Sequence, residues 1–198
     1  MIRTKPLREL VIKKFPHKYS NTSPLGLIGF GFTTILLSFA NISVFDVNSM
    51  IIGLGLFYGG VAQFMAGIYE IKQHNTFGGT AFCSYGAFWL SFCVMIFGGP
   101  VLGVASPDEN AEGCYLLFWC IFTILMFFAT LKHAPVTLRI IFASLAITFL
   151  FLSIGAFAEK KVITKVGGGF GLFCGAVAFY CAVAQVINGE FGETVFPI

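Results

Sequence analysis

"NTSPLGLIGFGFTTILLSF", Asn21 to Phe39, is the stretch that decides what kind of protein this chain is. No charged residue occurs between Lys18 and Asp46, and an apolar run of that length covers the roughly 30 Å hydrocarbon core of a bilayer. Pro24 sits where a first helical turn belongs, because its ring presets φ and its missing N–H would have had no partner there. Gly26, Gly29 and Gly31 follow closely. A rigid polar lead-in followed by spaced glycines predicts a membrane helix that packs tightly and that opens at one end onto something polar.

The rest of the chain agrees with that beginning. Of its 198 residues, 57% are hydrophobic and only 11% are charged, against about 25% charged in a soluble domain; the mean hydropathy is +0.88. Such a chain cannot clothe a soluble surface. Apolar runs long enough to span occur at about 25–45, 49–71, 77–98, 114–131, 136–157 and 166–187. They predict an all-α integral membrane protein, a bundle of six transmembrane helices in residues 21–198, preceded by a basic tail over 1–20. The tail carries Arg3, Lys5, Arg8, Lys13, Lys14 and Lys18 against Glu9 alone, and no apolar signal-peptide core follows it. It reads as a cytosolic tail that touches anionic headgroups.

With the first residue inside, the cytosolic face receives those six charges plus Lys72, Lys132 and Arg139, and the opposite face receives Lys160, Lys161 and Lys165. Nine against three places both termini in the cytosol and turns the loop with Asp108, Glu109 and Glu112 outward. Small residues recur on single helical faces: Gly55, Gly59, Ala62 and Ala66 in the second span, Gly171, Gly175, Ala178 and Ala182 in the sixth. Faces of this kind let membrane helices approach closely; a narrow lumen needs the same residues.

Polar residues inside the spans are the candidates for function, because they are costly in hydrocarbon and tend to face a bundle interior or a wet cavity. Gln63, Gly67 and Glu70 lie at i, i+4 and i+7 on one face. Gln63 serves an interhelical hydrogen bond or a pathway. Glu70 serves either pairing with Lys72 at the helix end or proton uptake. Asn75 and Thr76 start the third helix and Asn21 precedes the first, so two helix starts with free N–H groups are expected on the cytosolic side, each receptive to an anion. On this reading Asn21, Pro24 and Gly26 form the rim, with Asn21 free either to cap the turn or to reach across to Asn75 and Thr76. Aromatic rings beside hydroxyls, Phe30 near Thr33 and Thr34 and Tyr85 beside Ser84, suit an apolar constriction. The six cysteines form no C-x-x-C pair and read as small hydrophobes. Without a nucleophile–base pair, a phosphate loop or a metal-ligand cluster, no enzyme, cofactor, metal or nucleic-acid partner is indicated.

"NTSPLGLIGFGFTTILLSF", "FYGGVAQFMAGIYE", "NTFGGTAFCSYGAFW", "FCGAVAFY" and the terminal "EFGETVFPI" together resemble the acetate uptake transporter family, which holds bacterial acetate–succinate transporters and yeast proteins linked to acetate uptake and ammonia export. The resemblance runs in order from about Asn21 to the end. Its first motif, N-P-A-P-L-G-L, is met by Asn21, Pro24, Leu25, Gly26 and Leu27, with Thr22 and Ser23 in place of the first proline and the alanine. Its second, E-x-x-x-G-N-T-F-G, is met by Glu70, Asn75, Thr76, Phe77 and Gly78, with His74 in place of the glycine. The resemblance implies six-helix protomers assembled as hexamers, each with a pathway pinched by a hydrophobic ring at Phe30, Tyr85 and Leu145.

Three functions follow for comparison. A carrier or channel for acetate, with succinate a further substrate and protons a partner, matches a path of amides, hydroxyls and apolar rings holding no deep lysine or arginine. A channel for a neutral solute such as ammonia also suits an apolar pore. A scaffold or sensor that transports nothing is the third. The first is favoured, in a multi-pass protein of the plasma or inner membrane.

Overall fold

The chain turns helical at Ser23, with Pro24 in the first turn. The computed structural model describes residues 20–132 and 134–198; the basic tail and His133 lie outside that range. Six helices follow: α1 (Ser23–Asn41), α2 (Ser49–Lys72), α3 (Thr76–Leu102), α4 (Glu109–Thr130), α5 (Val136–Phe157) and α6 (Lys161–Phe191). All six are long and apolar enough to cross a bilayer. This is a multi-pass integral membrane protein.

The helix limits differ from the hydropathy reading where local chemistry overrides it. α1 stops at Asn41, and Ser43 takes a left-handed φ of +67°. α4 starts at Glu109 rather than near residue 114, because Asp108 caps it by accepting from the Ala111 N–H at 2.8 Å. Glu109 and Glu112 then lie in a first turn, where the helix dipole favours negative charge. The segment "EKKVITK", expected as a connector, is helical from Lys161. At 31 residues α6 is about 46 Å long, so it outreaches the membrane core that set the expected limits.

Helix α2 holds a feature that apolar periodicity does not reveal. It is α-helical over Ser49–Leu54, π-helical over Gly55–Ala62 and α-helical again over Gln63–Lys72. The widened turns lie tight against α1 and α3: a Cβ on Gly59 would fall 2.8 Å from the Thr33 hydroxyl and from the Trp89 ring. π segments are rare and recur at functional sites. This one ends at Gln63.

Both small-residue faces are packing faces. α1 crosses α6 so closely that a Cβ on Gly31 would fall 2.8 Å from the Gly175 carbonyl oxygen, and Gly171, Gly175, Ala178 and Ala182 are all buried there. Direct backbone packing also joins α1 to α2, α2 to α3, α4 to α5 and α5 to α6. α3 and α4 close the ring through long side chains instead. Ser91 and Tyr115 share a hydrogen bond at 2.7 Å, and the Phe88 and Trp119 rings lie 5.2 Å apart.

Candidate functional site

A cavity of about 210 Å³ opens at the end of the bundle where α1, α3 and α5 begin and α6 finishes. Its wall is mainly apolar, and Phe30, Tyr85 and Leu145 all line it although they come from three helices. The Phe30 and Tyr85 ring centres are 5.8 Å apart, and Tyr85 lies 6.1 Å from Phe142. All three residues are buried. The Tyr85 hydroxyl is 2.9 Å from the Thr123 hydroxyl. Thr123 spends its own proton on the Trp119 carbonyl, so Tyr85 donates to Thr123 and its ring is locked in place.

Gln63 lines the same cavity, is 1% exposed, and has neither its amide N nor its amide O paired. An unpaired buried amide costs about 1–3 kcal/mol.

The rim is built around Glu70, itself 4% exposed. Its Oε1 accepts from the Thr22 hydroxyl at 2.6 Å and the Ser23 hydroxyl at 3.0 Å, and its Oε2 accepts from the Asn75 amide at 2.7 Å. Gln73 donates in turn to Thr22 at 3.2 Å. One carboxylate thus ties the start of α1 to the corner between α2 and α3. The expected pairing with Lys72 is not made; the Lys72 ammonium lies over the Tyr69 ring, 4.9 Å from its centre. At each helix start an asparagine side chain already takes one backbone N–H. Asn75 caps α3 by accepting from the Gly78 N–H at 3.0 Å. Asn21 accepts from the Ser23 N–H at 3.1 Å and donates to Gln185 at 3.0 Å, so it reaches α6 rather than Asn75 and Thr76. That bond also sets the start of α1 and the end of α6 at one end of the bundle.

The remaining candidates lie outside the cavity lining. Gly26 is buried and lies under the Phe82 ring, where a Cβ would come within 2.7 Å; the ring, not the glycine, lines the cavity. Pro24 sets the helix start. Thr33 donates to the Gly29 carbonyl at 2.7 Å, while the buried Thr34 hydroxyl is unpaired. Thr76 is exposed, Ser84 half-buried and Ala178 fully buried, and none of them lines the cavity. Sequence reasoning missed Ser23, Phe82, Leu138, Phe142 and Gln185 in the lining. Gln185 had a signal: it continues the face of Ala178 and Ala182 by one more turn.

At the opposite end a second cavity of about 210 Å³ lies between the end of α1 and the beginning of α4 and α6, with Asn41, Glu112 and Thr164 in a wall that includes Phe88 and Phe92. The two linings share no residue, and among the described residues neither contains a lysine or arginine. Among the described residues, a six-span bundle with a cavity toward each end and buried aromatic rings in the cavity walls suits a membrane transport protein. The chain belongs to the GPR1/FUN34/yaaH family, whose model matches residues 6–197. The family match thus begins within the basic tail, earlier than Asn21.

The chain is 48% identical to the succinate-acetate/proton symporter SatP of Escherichia coli strain K12, over 91% of this chain and 96% of that protein. It is 41% identical to the ammonia transport outward protein 2 of Saccharomyces cerevisiae, over 88% of this chain and 64% of that protein. The solved structure of the bacterial acetate channel SatP superposes with a TM-score of 0.89 at 45% identity, covering 91% of this chain and 99% of that one. These relatives transport solutes, and the chain is a transporter or channel rather than an enzyme.

Proposed function

We propose that this chain is a membrane pathway for acetate and related small carboxylates, succinate included, with Phe30, Tyr85 and Leu145 as its constriction. The observation that carries the reading is the cavity itself: apolar walls that run inward to those three residues, with the unpaired Gln63 amide among them. Acetate has the matching halves, a methyl group for the apolar wall and a carboxyl group for the amide. Without a lysine or arginine in the lining, nothing holds the anion tightly enough to stop release. The names of the SatP relatives support the same substrate class, while the ammonia transport outward protein 2 fits a neutral-solute channel instead.

An acid that carries its proton crosses an apolar neck at far lower cost than a bare carboxylate; transport is therefore proton-linked, with Glu70 the candidate proton site at the rim. The end bearing Glu70 faces the cytosol, the protomers assemble as hexamers, and the protein resides in the plasma or inner membrane. Labelled acetate uptake into proteoliposomes, with and without an imposed pH gradient, tests this. Acetate flux that grows with an inward proton gradient is expected. Ammonia flux without acetate flux would transfer the assignment to a neutral-solute channel, and no flux of either would leave a scaffold or sensor.

A further inference from the structure

The stretch after α6 takes no part in the pathway described so far. Gly192 ends α6 at φ +69°, a left-handed conformation that glycine takes freely and that turns the chain away from the helix axis. The segment beyond it is then pinned. The Asn188 side chain accepts from the N–H groups of Val195 at 2.8 Å and Phe196 at 2.9 Å and donates to the Phe196 carbonyl at 2.7 Å. The Tyr180 hydroxyl donates to the Pro197 carbonyl at 2.7 Å, and its ring lies 6.5 Å from that of Phe196. Four hydrogen bonds hold three successive residues here. They carry Ile198 back to the cavity mouth, where it lines the wall together with Pro135, Leu138 and Gln185.

We propose that residues 192–198 are a strap forming the outer wall of the mouth, and that Ile198 sets the largest acid the pathway admits. The inference rests on the carboxylate reading above. Most of the lining belongs to helices whose positions the whole bundle sets. Ile198 is positioned by two side chains of one helix, Asn188 and Tyr180, neither of which lines the cavity. The size limit is therefore separable from the constriction at Phe30, Tyr85 and Leu145, and acts on the aliphatic tail of the acid, not on its carboxyl group.

Flux of acetate and of butyrate into proteoliposomes tests the strap. Ile198→Ala and Asn188→Ala are expected to raise the butyrate-to-acetate ratio roughly tenfold, the low end of what a methylene group decides in an apolar pocket. Ile198→Trp is expected to cut acetate flux severalfold. A second readout needs no flux: saturating butyrate should slow thiol labelling of Ile198→Cys, read by mass spectrometry of that peptide, and leave labelling of the exposed Phe191→Cys unchanged. Wild-type ratios in the two alanine variants together with wild-type acetate flux in Ile198→Trp, in oligomers of wild-type size and melting temperature, would overturn the proposal. So would labelling at position 198 that is indifferent to butyrate. If the wild-type protein carried no acid at all, the carboxylate reading would fail by itself, and the labelling result alone would decide whether an acid reaches the strap.

Discussion

Thr22 and Ser23 stand where the family motif has a proline and an alanine, and both hydroxyls donate to Glu70. A hydrogen bond to a buried charged group is worth about 1.5–3 kcal/mol, so Thr22→Ala is expected to lower stability by about that amount, measured as thermal unfolding in detergent. Glu70→Gln removes the charge while keeping the shape. If Glu70 is the proton site, this variant transports acetate with its pH dependence flattened; full pH dependence in it would remove Glu70 from the coupling. Gln63 behaves oppositely. Because its amide is buried and unpaired, Gln63→Met should leave stability unchanged or raise it by about 1–3 kcal/mol while lowering acetate flux. A residue that costs stability and supports transport is there for transport. His74 holds φ +62° at the corner between α2 and α3, in the position where the family motif has glycine. His74→Gly should relieve roughly 1 kcal/mol of left-handed strain and raise the melting temperature by about 2–4 °C.

Helix contacts give glycine two different meanings here. Gly31 and Gly175 face backbone across the α1–α6 crossing, and backbone cannot yield. Gly31→Val should therefore separate the two helices and reduce the yield of folded oligomer, seen by size-exclusion chromatography. Gly26 faces only the Phe82 ring, which can turn, and the space open to it is the cavity it already lines. Gly26→Ala should fold and assemble normally yet lose most of its acetate flux. The π segment of α2 follows the same logic. It is tolerated where Gly55, Gly59 and Gly60 remove the side chains that a widened helix would drive into α1 and α3.

Across the whole molecule, a layer of aromatic rings, Tyr85, Trp119 and Phe88, runs from the wall of one cavity to that of the other. Leu145 is the aliphatic member of the proposed constriction, and Leu145→Ala should admit bulkier monocarboxylates such as lactate, read as a lactate-to-acetate flux ratio above that of the wild type. Unchanged selectivity would remove Leu145 from the filter. The layer is held by side chains because α3 and α4 meet through Ser91, Tyr115, Phe88 and Trp119 rather than through backbone. Tyr85, tied to Thr123, belongs both to this layer and, with Phe30 and Leu145, to the proposed constriction.

Hydropathy, turn chemistry and glycine spacing are properties of neighbours along the chain, so they were enough to give six spans, the Pro24 and Asn75 helix starts and both small-residue faces. Helix limits failed where capping or a polar helical extension, as at Asp108 and Lys161, carries a helix past its apolar run. The burial of Gln63, Gly67 and Glu70 on one face was legible for the same local reason. Nothing local says which partner such a group meets. Thr22 and Glu70 are 48 positions apart and Asn21 and Gln185 are 164 apart, and in each case several polar residues competed for the same role. The tertiary structure alone decided that Glu70 takes hydroxyls rather than Lys72, that Gln63 takes nothing, and that the segment after Gly192 returns to the cavity mouth. A hydrogen bond forms only within about 3 Å, and distances that short between remote residues are set by how whole helices pack.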